Sequence, residues 1–325
     1  MTLRNLLSVL TEFKKTAVPE NISVEIVRGI ADDSRKIQEG YLFIAIKGHT
    51  QDGHNSISAA IQNGARFLIV EDAQKIPKDY SGFFLVVANT RLALDQIASR
   101  FYGDASRRML VFGVTGTNGK TSSTYMFEHI CNFCGIPTGV IGTINHHIKE
   151  KVWDTNVTTP GPIELQERSR QMQEHGAKAL AIEVSSHALA QHRVDSIQFN
   201  SVLFTNLTQD HLDYHKDMKN YFQEKQKLFT DLLWKSSKVP VFAIINVDDQ
   251  FGRQLRVAGF SGLWTYGQKK SADYSFQNFK INFSRTEFDL STPFGKFRAI
   301  IPLCGIHNIY NAVGVIAAAA SIGIP

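Results

Sequence analysis

A glycine-punctuated turn between an apolar run and a helical pattern constrains this chain more than any other feature. Residues 109–121 read MLVFGVTGTNGKT, which predicts a strand, a phosphate-binding loop and a helix in succession. Glycine lets the backbone approach an anion closely, while N–H groups at the helix start and a lysine ammonium neutralise phosphate charge. The sequence therefore predicts a nucleoside triphosphate site formed by Gly116, Thr117, Asn118, Gly119, Lys120, Thr121 and Ser122.

The motif is shorter than the strict Walker pattern, which would place glycine where this chain has Val114. The match is GxxGKT, beginning at Gly116. Within it, Lys120 is predicted to contact phosphate, and Thr121 is predicted to offer its hydroxyl to Mg²⁺. The alternative is a glycine-rich turn beside a surface lysine, which the flanking strand and helix disfavour.

Length and composition narrow the class of protein. The chain has 325 residues, enough for two domains. Lysine plus arginine exceed aspartate plus glutamate by 35 − 30 = 5, and the scattered basic residues suit polyphosphate ligands rather than nucleic acid. The N-terminal apolar stretch is too short for a signal peptide, and residues 312–324 fall short of the roughly 20 residues of a membrane span. A cytoplasmic protein without membrane insertion is expected.

Cysteine usage agrees with a reducing compartment, because three cysteines give no even disulfide framework. Cys131 and Cys134 form a CxxC on the helix after the phosphate loop, with no second pair nearby. We interpret this pair as packing on a helix face rather than as a metal or redox site.

The N-terminal region reads as a small α/β unit. Strands are predicted at residues 42–46, 67–70 and 83–87, and a helix at 57–63. Its loops carry donors that suit a diphosphate or a uracil edge, although ordinary solvated loops would look the same. These loop residues are Ser34, Arg35, His49, Thr50 and Gln51. A domain boundary is placed near residue 88, before a helical pattern at 91–102.

Polar side chains follow two of the apolar strands of the larger region. Glu183 ends the strand predicted at 179–184, and His211 follows the strand predicted at 201–207 within the stretch TQDHLDYH. The carboxyl ends of parallel strands face the ligand crevice, so Glu183 should project toward the nucleotide. The alternatives are a carboxylate that caps the next helix and, for His211, a helix start rich in aspartate and histidine.

The remaining patterns complete the predicted architecture. Helices are expected at 163–175 and from about 212 through Phe229, a strand at 241–246, an antiparallel hairpin at 276–299 and a helix at 305–320. Asn308 and Asn311 would lie on the first turn of that last helix and could offer amide edges to a base. The predicted fold is α/β. A small N-terminal domain (1–88) precedes a P-loop-type central domain (89–325) with a mostly parallel sheet, flanking helices and a small antiparallel hairpin.

Several motifs together resemble the Mur ligases. GTNGKT and GIHNIYN are shared by that family and by folylpolyglutamate synthase. DSR, GHTQDGH, EVSSHALAQHRV and FTNLTQDHLDYH are similar to the Mur ligases that add the third residue of the peptidoglycan stem peptide. The resemblance spans nearly the whole chain, with departures at Asp32, near the expected uracil pocket, and at Val157, where an asparagine is expected.

The resemblance implies roles for particular residues. Residues that match UDP-binding positions are Ser34, His49, Thr50 and Gln51. Residues that match positions holding the muramoyl dipeptide are Thr158, Thr159, Ser185, Gln191 and Arg193. The implied metal ligands are Thr121, Glu183, His211 and Lys225, of which Lys225 matches a lysine carbamylated by CO₂. The implied catalytic residues are Lys120, His211 and Lys225, and Asn308 and Asn311 match the side that faces adenine.

The resemblance also implies a reaction. The D-glutamyl carboxylate of UDP-N-acetylmuramoyl-L-alanyl-D-glutamate would attack the γ-phosphate of ATP, and a diamino acid would then displace phosphate from the acyl phosphate. Meso-diaminopimelate is favoured as that diamino acid, although residues of this chain do not separate it from L-lysine. A C-terminal domain that binds the amino acid is expected to be absent, so we expect the chain to be inactive alone. A monomer is also expected.

Three other functions remain consistent with the sequence. They are a folylpolyglutamate synthase-like ligase, a two-domain binding fragment without turnover, and a nucleotide-dependent switch or transport ATPase. Binding of a UDP-muramoyl peptide would separate a Mur ligase from the switch or transport ATPase.

Overall fold

The computed structural model describes residues 1–10, 20–48 and 51–325, and the chain divides into two compact units. The first unit comprises Met1–Asp104, Gly161–Glu167 and Gln191–Ser196, and the second comprises Ala105–Pro160, Arg168–Ala190 and Ile197–Pro325. His49 and Thr50, which the sequence assigned to UDP binding, lie outside the described residues.

The first unit is built on a four-stranded parallel sheet with strand order β1-β2-β3-β4. The strands are β1 (Gly29–Ala31), β2 (Tyr41–Ile44), β3 (Ala65–Val70) and β4 (Phe83–Val86). The helices are α1 (Leu3–Leu7), α2 (Glu20–Ser23), α3 (Ile57–Gln62) and α4 (Thr90–Phe101).

Successive side chains along the strands of this sheet pack on opposite faces, in two separate hydrophobic clusters. Leu42 packs in a cluster with Leu94 of α4, while its neighbour Phe43 packs in a second cluster with Ile57 of α3. Both faces of the sheet are thus covered, as parallel sheets require. The position of Leu94 in the first core explains why α4 belongs to this unit, although the sequence placed the boundary before it, near residue 88.

The elements of the second unit are numbered on from those of the first. Its strands are β5 (Leu110–Thr115), β6 (Thr138–Ile141), β7 (His146–Ile148), β8 (Lys151–Trp153), β9 (Ala179–Glu183), β10 (Ser201–Phe204), β11 (Phe242–Asn246), β12 (Gly262–Gly267), β13 (Tyr274–Ile281), β14 (Thr286–Thr292) and β15 (Gly295–Ile301). The helices that begin in it are α5 (Lys120–Phe133), α7 (Ser186–Ala190), α8 (Leu212–His215), α9 (Met218–Lys227), α10 (Leu233–Lys235) and α11 (Ile306–Ser321). Helix α6 (Pro162–Glu174) is divided between the units after Glu167.

The strands of the second unit form one mixed sheet of order β15-β14-β13-β12-β11-β10-β5-β9-β6-β7-β8. The strands from β13 through β6 pair in parallel, and both ends of the sheet are antiparallel. The predicted mostly parallel sheet with an antiparallel hairpin is confirmed, because β14 and β15 pair around residues 292–295. Strands β5, β9 and β10 lie side by side, which brings their carboxyl ends to one edge.

The structure departs from the predicted elements at several positions. Strands β1, β7, β8 and β12 and helices α1, α2, α7 and α10 were not predicted. The single helix expected from about residue 212 is two helices, because Lys216 adopts a left-handed φ of 70° that ends α8. The carboxylate of Asp217 then caps α9 by accepting from the backbone N–H of Asn220 at 2.8 Å.

The core of the second unit lies between the sheet and its helices. Phe112 of β5 is fully buried and stacks on Phe127 of α5, with ring centroids 4.4 Å apart. Cys131 is buried in the same cluster, in agreement with a packing role for the CxxC. Within the described ranges, no helix has both the length and the apolar character needed to cross a bilayer.

Candidate nucleotide and metal site

The phosphate loop joins β5 to α5 and depends on two glycines. Gly116 and Gly119 have φ of 153° and 88°, conformations that other residues rarely adopt. A Cβ atom on Gly116 would collide with the Thr205 hydroxyl, and one on Gly119 would collide with the Asn311 side chain. The loop is therefore held close to the end of β10 and to the first turns of α11.

The close approach of Gly119 to Asn311 leads to a prediction. Gly119→Ala should weaken ATP binding at least tenfold, because a methyl group must displace the Asn311 amide and the left-handed backbone costs about 1–2 kcal/mol. Gly135→Ala is the matched control, since Gly135 has a similar φ of 74° with open space around it. Calorimetric titration with ATP, alongside thermal unfolding, measures both effects. Equal ATP affinity in the two variants would contradict the assignment.

Lys120 opens α5 and folds back over the loop. Its Nζ donates to the carbonyl oxygens of Gly116 at 2.9 Å and Thr117 at 2.8 Å. Burial lowers the pKa of this ammonium, while the nearby charges of Glu183 and Asp210 oppose that shift. The side chain is thus held beside the loop N–H groups, where a phosphate would bind.

The end of β10 braces the loop through Asn206, which the sequence did not single out. Its side chain accepts from the Asn118 N–H and donates to the Asn118 carbonyl, both at 3.1 Å. Its backbone carbonyl accepts from the Thr117 N–H at 2.8 Å. The only signal for this residue was its place after an apolar strand, which does not reveal that β10 neighbours β5.

A fully buried carboxylate lies beside the start of α5. Glu183, at the end of β9, has no exposed surface, and its Oε2 accepts from the Thr121 hydroxyl at 3.0 Å. The N–H of Thr143 donates to Oε1 at 2.9 Å, and the Thr143 hydroxyl lies 3.1 Å from Oε2. The structure thus brings the predicted metal ligands Thr121 and Glu183 together, and it adds Thr143. A hydroxyl and a carboxylate are hard oxygen donors, which fit Mg²⁺.

Lys225 approaches the same loop from α9. Its side chain is buried, and Nζ donates to the Gly116 carbonyl at 3.0 Å and lies 3.4 Å from the Thr115 hydroxyl. Nζ also lies 4.7 Å from the centre of the Tyr221 ring. Burial lowers the pKa of Lys225 well below its usual range, and the Lys120 charge adds to that shift. The amine is therefore held close to the loop in an environment that favours its neutral form.

His211 lies beside Asp210, His187 and Tyr221. It precedes α8 with a left-handed φ of 53°, and its half-exposed ring lies 3.5 Å from the Asp210 carboxylate. Its ring centroid lies 4.9 Å from that of His187 and 6.2 Å from that of Tyr221. No group of three or more His, Cys, Asp and Glu side chains that could hold a metal occurs in the described part of the chain. Of the four predicted ligands, Thr121 and Glu183 are in direct contact.

Three of the residues predicted to hold the muramoyl dipeptide lie around Glu183. The Thr159 hydroxyl donates to the Glu183 carbonyl at 2.7 Å and accepts from the Ser185 N–H at 3.1 Å. Thr158 Oγ1 lies 3.1 Å from the Thr143 hydroxyl. The Thr159 hydroxyl is buried in these contacts, so its observed bonds hold the loop onto β9.

The other predicted substrate residues belong to the first unit. Ser34 begins a short 3₁₀ helix, and its carbonyl accepts from the Asn63 side chain at 2.9 Å. Gln51 is exposed, and its carbonyl accepts from the Gly48 N–H at 2.9 Å. Gln191 and Arg193 bond to each other, with Arg193 donating to Gln191 Oε1 at 2.7 Å.

A cavity of about 630 Å³ opens beside the phosphate loop. Asn311 lies in its wall, whereas the side chain of Asn308 donates to the Cys304 carbonyl at 2.8 Å and does not line it. The wall also contains Asp248, which accepts from the Tyr310 hydroxyl at 2.8 Å; burial and this carboxylate raise the pKa of Tyr310. The lining residues are Asn118, Gly119, Ser122, Thr205, Asn206, Asn246, Asp248, Asp249, Tyr266, His307, Tyr310 and Asn311. Its size, and the few polar groups in its wall, suit a nucleoside.

Comparison with family models gives two matches. Residues 114–319 match the Mur ligase middle domain, and residues 26–102 match the model described as Mur ligase family, catalytic domain. Together these matches cover the phosphate loop, Glu183, Lys225 and Asn311 in the second unit, and Ser34 in the first.

Curated relatives carry one name, UDP-N-acetylmuramoyl-L-alanyl-D-glutamate–2,6-diaminopimelate ligase. The protein of Geobacter sulfurreducens is 40% identical over 92% of this chain and 58% of its own length. That of Bacillus licheniformis is 36% identical over 100% of this chain and 65% of its own length. A solved structure with the same name has a TM-score of 0.85 at 24% identity, covering 100% of this chain and 65% of that one. The chain thus spans about three fifths of the length of these relatives.

Proposed function

Since the chain belongs to the Mur ligase family, we propose that it binds ATP and UDP-N-acetylmuramoyl-L-alanyl-D-glutamate and takes part in joining meso-diaminopimelate to the latter in peptidoglycan synthesis. The names of its relatives support that substrate pair. The observation that carries the proposal is the glycine loop that places Thr121 on a buried Glu183 beside a nucleoside-sized cavity. A monomeric state, a cytoplasmic location and the choice of meso-diaminopimelate over L-lysine stay predictions.

The proposed reaction has two steps. An oxygen of the D-glutamyl carboxylate attacks the γ-phosphorus of ATP, the bond to the β-phosphate oxygen breaks, and ADP leaves an acyl phosphate. The amine of the diamino acid then attacks the acyl carbon and expels inorganic phosphate. Because two anions must meet in the first step, the main task of the site is to neutralise and position charge.

The residues of this chain divide that task. Lys120, which already lies over the loop carbonyls, would move onto phosphate oxygens, and the N–H groups at the start of α5 would bind the same anion. Thr121 and Glu183 would hold Mg²⁺, which supplies positive charge against the phosphate oxygens when bound. Asn311, in the cavity wall, would contact the base. His211 and Lys225 are proposed to hold a second cation near the carboxylate.

For Lys225 this role requires conversion of its amine to a carbamate. The neutral amine attacks CO₂, a C–N bond forms, and a proton leaves to solvent. The lowered pKa of Lys225 supports this step, because burial and the Lys120 charge favour the neutral amine. Its buried position against the Gly116 carbonyl supports it as well, since a carbamate replaces a costly buried cation by an anion with two oxygen ligands.

Carbamylation of Lys225 can be observed without measuring ligation. In ¹³C-bicarbonate near pH 8 the chain should show a carbamate carbonyl resonance, and Lys225→Met should remove it while keeping an apolar side chain of similar length. Lys227→Met is the matched control on the same helix, since Lys227 is partly exposed and paired with Glu224 at 2.7 Å. A signal that survives in Lys225→Met, or that disappears in Lys227→Met, would contradict the assignment.

Binding of the UDP substrate tests the proposed function itself. Calorimetric titration should show that UDP-N-acetylmuramoyl-L-alanyl-D-glutamate binds, and Ser34→Ala should weaken it by about 3–10-fold, the value of one lost hydrogen bond. Ser81→Ala, an exposed serine of the same unit, should leave the affinity unchanged. If the chain bound ATP but not the UDP substrate, a switch or transport ATPase would be the better description.

A further inference from the structure

The turn after β6 is shaped around the carboxylate of Glu183. The backbone N–H of Thr143 donates to Oε1 at 2.9 Å, and the Thr143 hydroxyl lies 3.1 Å from Oε2. A Cβ atom on the preceding residue, Gly142, would collide with Oε1. A glycine that permits this approach and a threonine that offers two donors thus surround a side chain with no exposed surface.

The Thr143 hydroxyl has two oxygen neighbours but can donate only one hydrogen bond. Its oxygen lies 3.1 Å from both Glu183 Oε2 and Thr158 Oγ1, but it carries a single hydrogen. A hydrogen bond to a carboxylate is roughly twice as strong as one to a neutral oxygen. The single hydrogen of the Thr143 hydroxyl is therefore donated to Glu183 in preference to Thr158.

Two hydroxyls from different elements consequently meet on one carboxylate oxygen. Thr121, on the first turn of α5, lies 3.0 Å from Oε2, and Thr143 approaches from the turn after β6. None of the described basic side chains forms an ion pair with Glu183. The hydrogen bonds that orient this buried carboxylate therefore come from neutral donors.

We propose that Thr143 is a positioning residue for the metal site: its hydroxyl holds Glu183 in the orientation that binds a divalent cation next to Thr121. This rests on the proposed function, in which Glu183 is a Mg²⁺ ligand. Residues that orient a metal ligand typically change metal affinity by about 10–100-fold when removed. Because the backbone N–H of Thr143 remains in a side-chain variant, loss of the hydroxyl should lie at the lower end of that range.

A purely structural role for Thr143 would look different. In that case the hydroxyl would only fasten the turn between β6 and β7 to the sheet, and its loss would lower stability without a specific effect on metal affinity. Thr138, at the start of β6, provides the comparison, because its buried hydroxyl donates to the Ile136 carbonyl at 2.9 Å.

The experiment is a Mn²⁺ titration followed by electron paramagnetic resonance, in the presence of a non-hydrolysable ATP analogue. Thr143→Val should weaken Mn²⁺ binding about tenfold, Thr143→Ser should restore it to within about twofold, and Thr138→Val should leave it unchanged. Thr143→Ala, which adds no methyl group at the hydroxyl position, repeats the test if the valine variant does not fold. Thermal unfolding of every variant separates loss of stability from loss of metal affinity.

The outcomes distinguish this inference from the proposed function. If Glu183→Gln loses Mn²⁺ while Thr143→Val and Thr143→Ala bind it as the unmodified protein does, the positioning role is wrong and the metal site stands. The positioning role is also wrong, and the metal site stands, if Thr138→Val weakens Mn²⁺ binding as much as Thr143→Val does. If Glu183→Gln has no effect on Mn²⁺ affinity, both the metal site and the role of Thr143 are overturned.

Discussion

Replacing Lys120 with alanine is expected to reduce the affinity for Mg·ATP by about 10–150-fold. The ammonium of Lys120 is held 2.8–2.9 Å from two loop carbonyls, at the position where phosphate oxygens would replace them. Hydrogen bonds to a charged group contribute about 1.5–3 kcal/mol each, which corresponds to that range of affinity. Calorimetric titration with a non-hydrolysable ATP analogue and Mg²⁺ provides the measurement.

Lys219→Ala is the control for this prediction, because Lys219 is an exposed lysine of α9 in the same unit. It removes the same charge from the protein without touching the loop, so any general electrostatic effect on a polyphosphate appears in both variants. Affinity in Lys120→Ala within twofold of that in Lys219→Ala would mean that the loop does not bind the triphosphate in the proposed way.

Phe112→Ala is expected to lower the free energy of unfolding of the second unit by about 3–5 kcal/mol, the usual cost of deleting a buried phenylalanine ring. Phe112 has no exposed surface and stacks on Phe127 of α5. The loss should appear as a lower urea midpoint, since the transfer free energy of the ring is lost and a cavity remains.

Phe133→Ala provides the comparison for this stability effect. Phe133 lies at the end of the same helix as Phe127, but 87% of it is exposed. Exposed substitutions of this kind usually change stability by no more than about 0.5 kcal/mol. A similar loss in both variants would show that the Phe112–Phe127 contact is not a centre of this core.

Local sequence patterns predicted the elements whose formation depends on residues close together in the chain. The apolar runs that became β5, β9, β10 and β11 each end in polar residues, and the glycine loop has a single plausible geometry between a strand and a helix. Strands β7 and β8 escaped prediction because each is three residues long and neither shows an apolar run or alternation. His146 and His147, for example, read as loop residues although both are buried in β7.

The candidate site was predictable only where one segment carried the signal. Thr121 and Glu183 could be proposed because each belongs to a recognisable pattern. Thr143 and Asn206 could not, since their contacts join residues 40 and 88 positions apart, and only the order of strands in the sheet brings them together. The register that places β6 beside β9, for instance, is not encoded in either strand alone.

The carbonyl of Gly116 accepts hydrogen bonds from two lysines at once, Lys120 at 2.9 Å and Lys225 at 3.0 Å. Their like charges oppose each other, so a change of charge on one lysine alters the free energy of keeping the other protonated. Thermodynamic reciprocity then links the two ligands of these side chains. If CO₂ loads Lys225, nucleotide affinity must depend on dissolved bicarbonate, and nucleotide must in turn alter how much CO₂ the protein takes up.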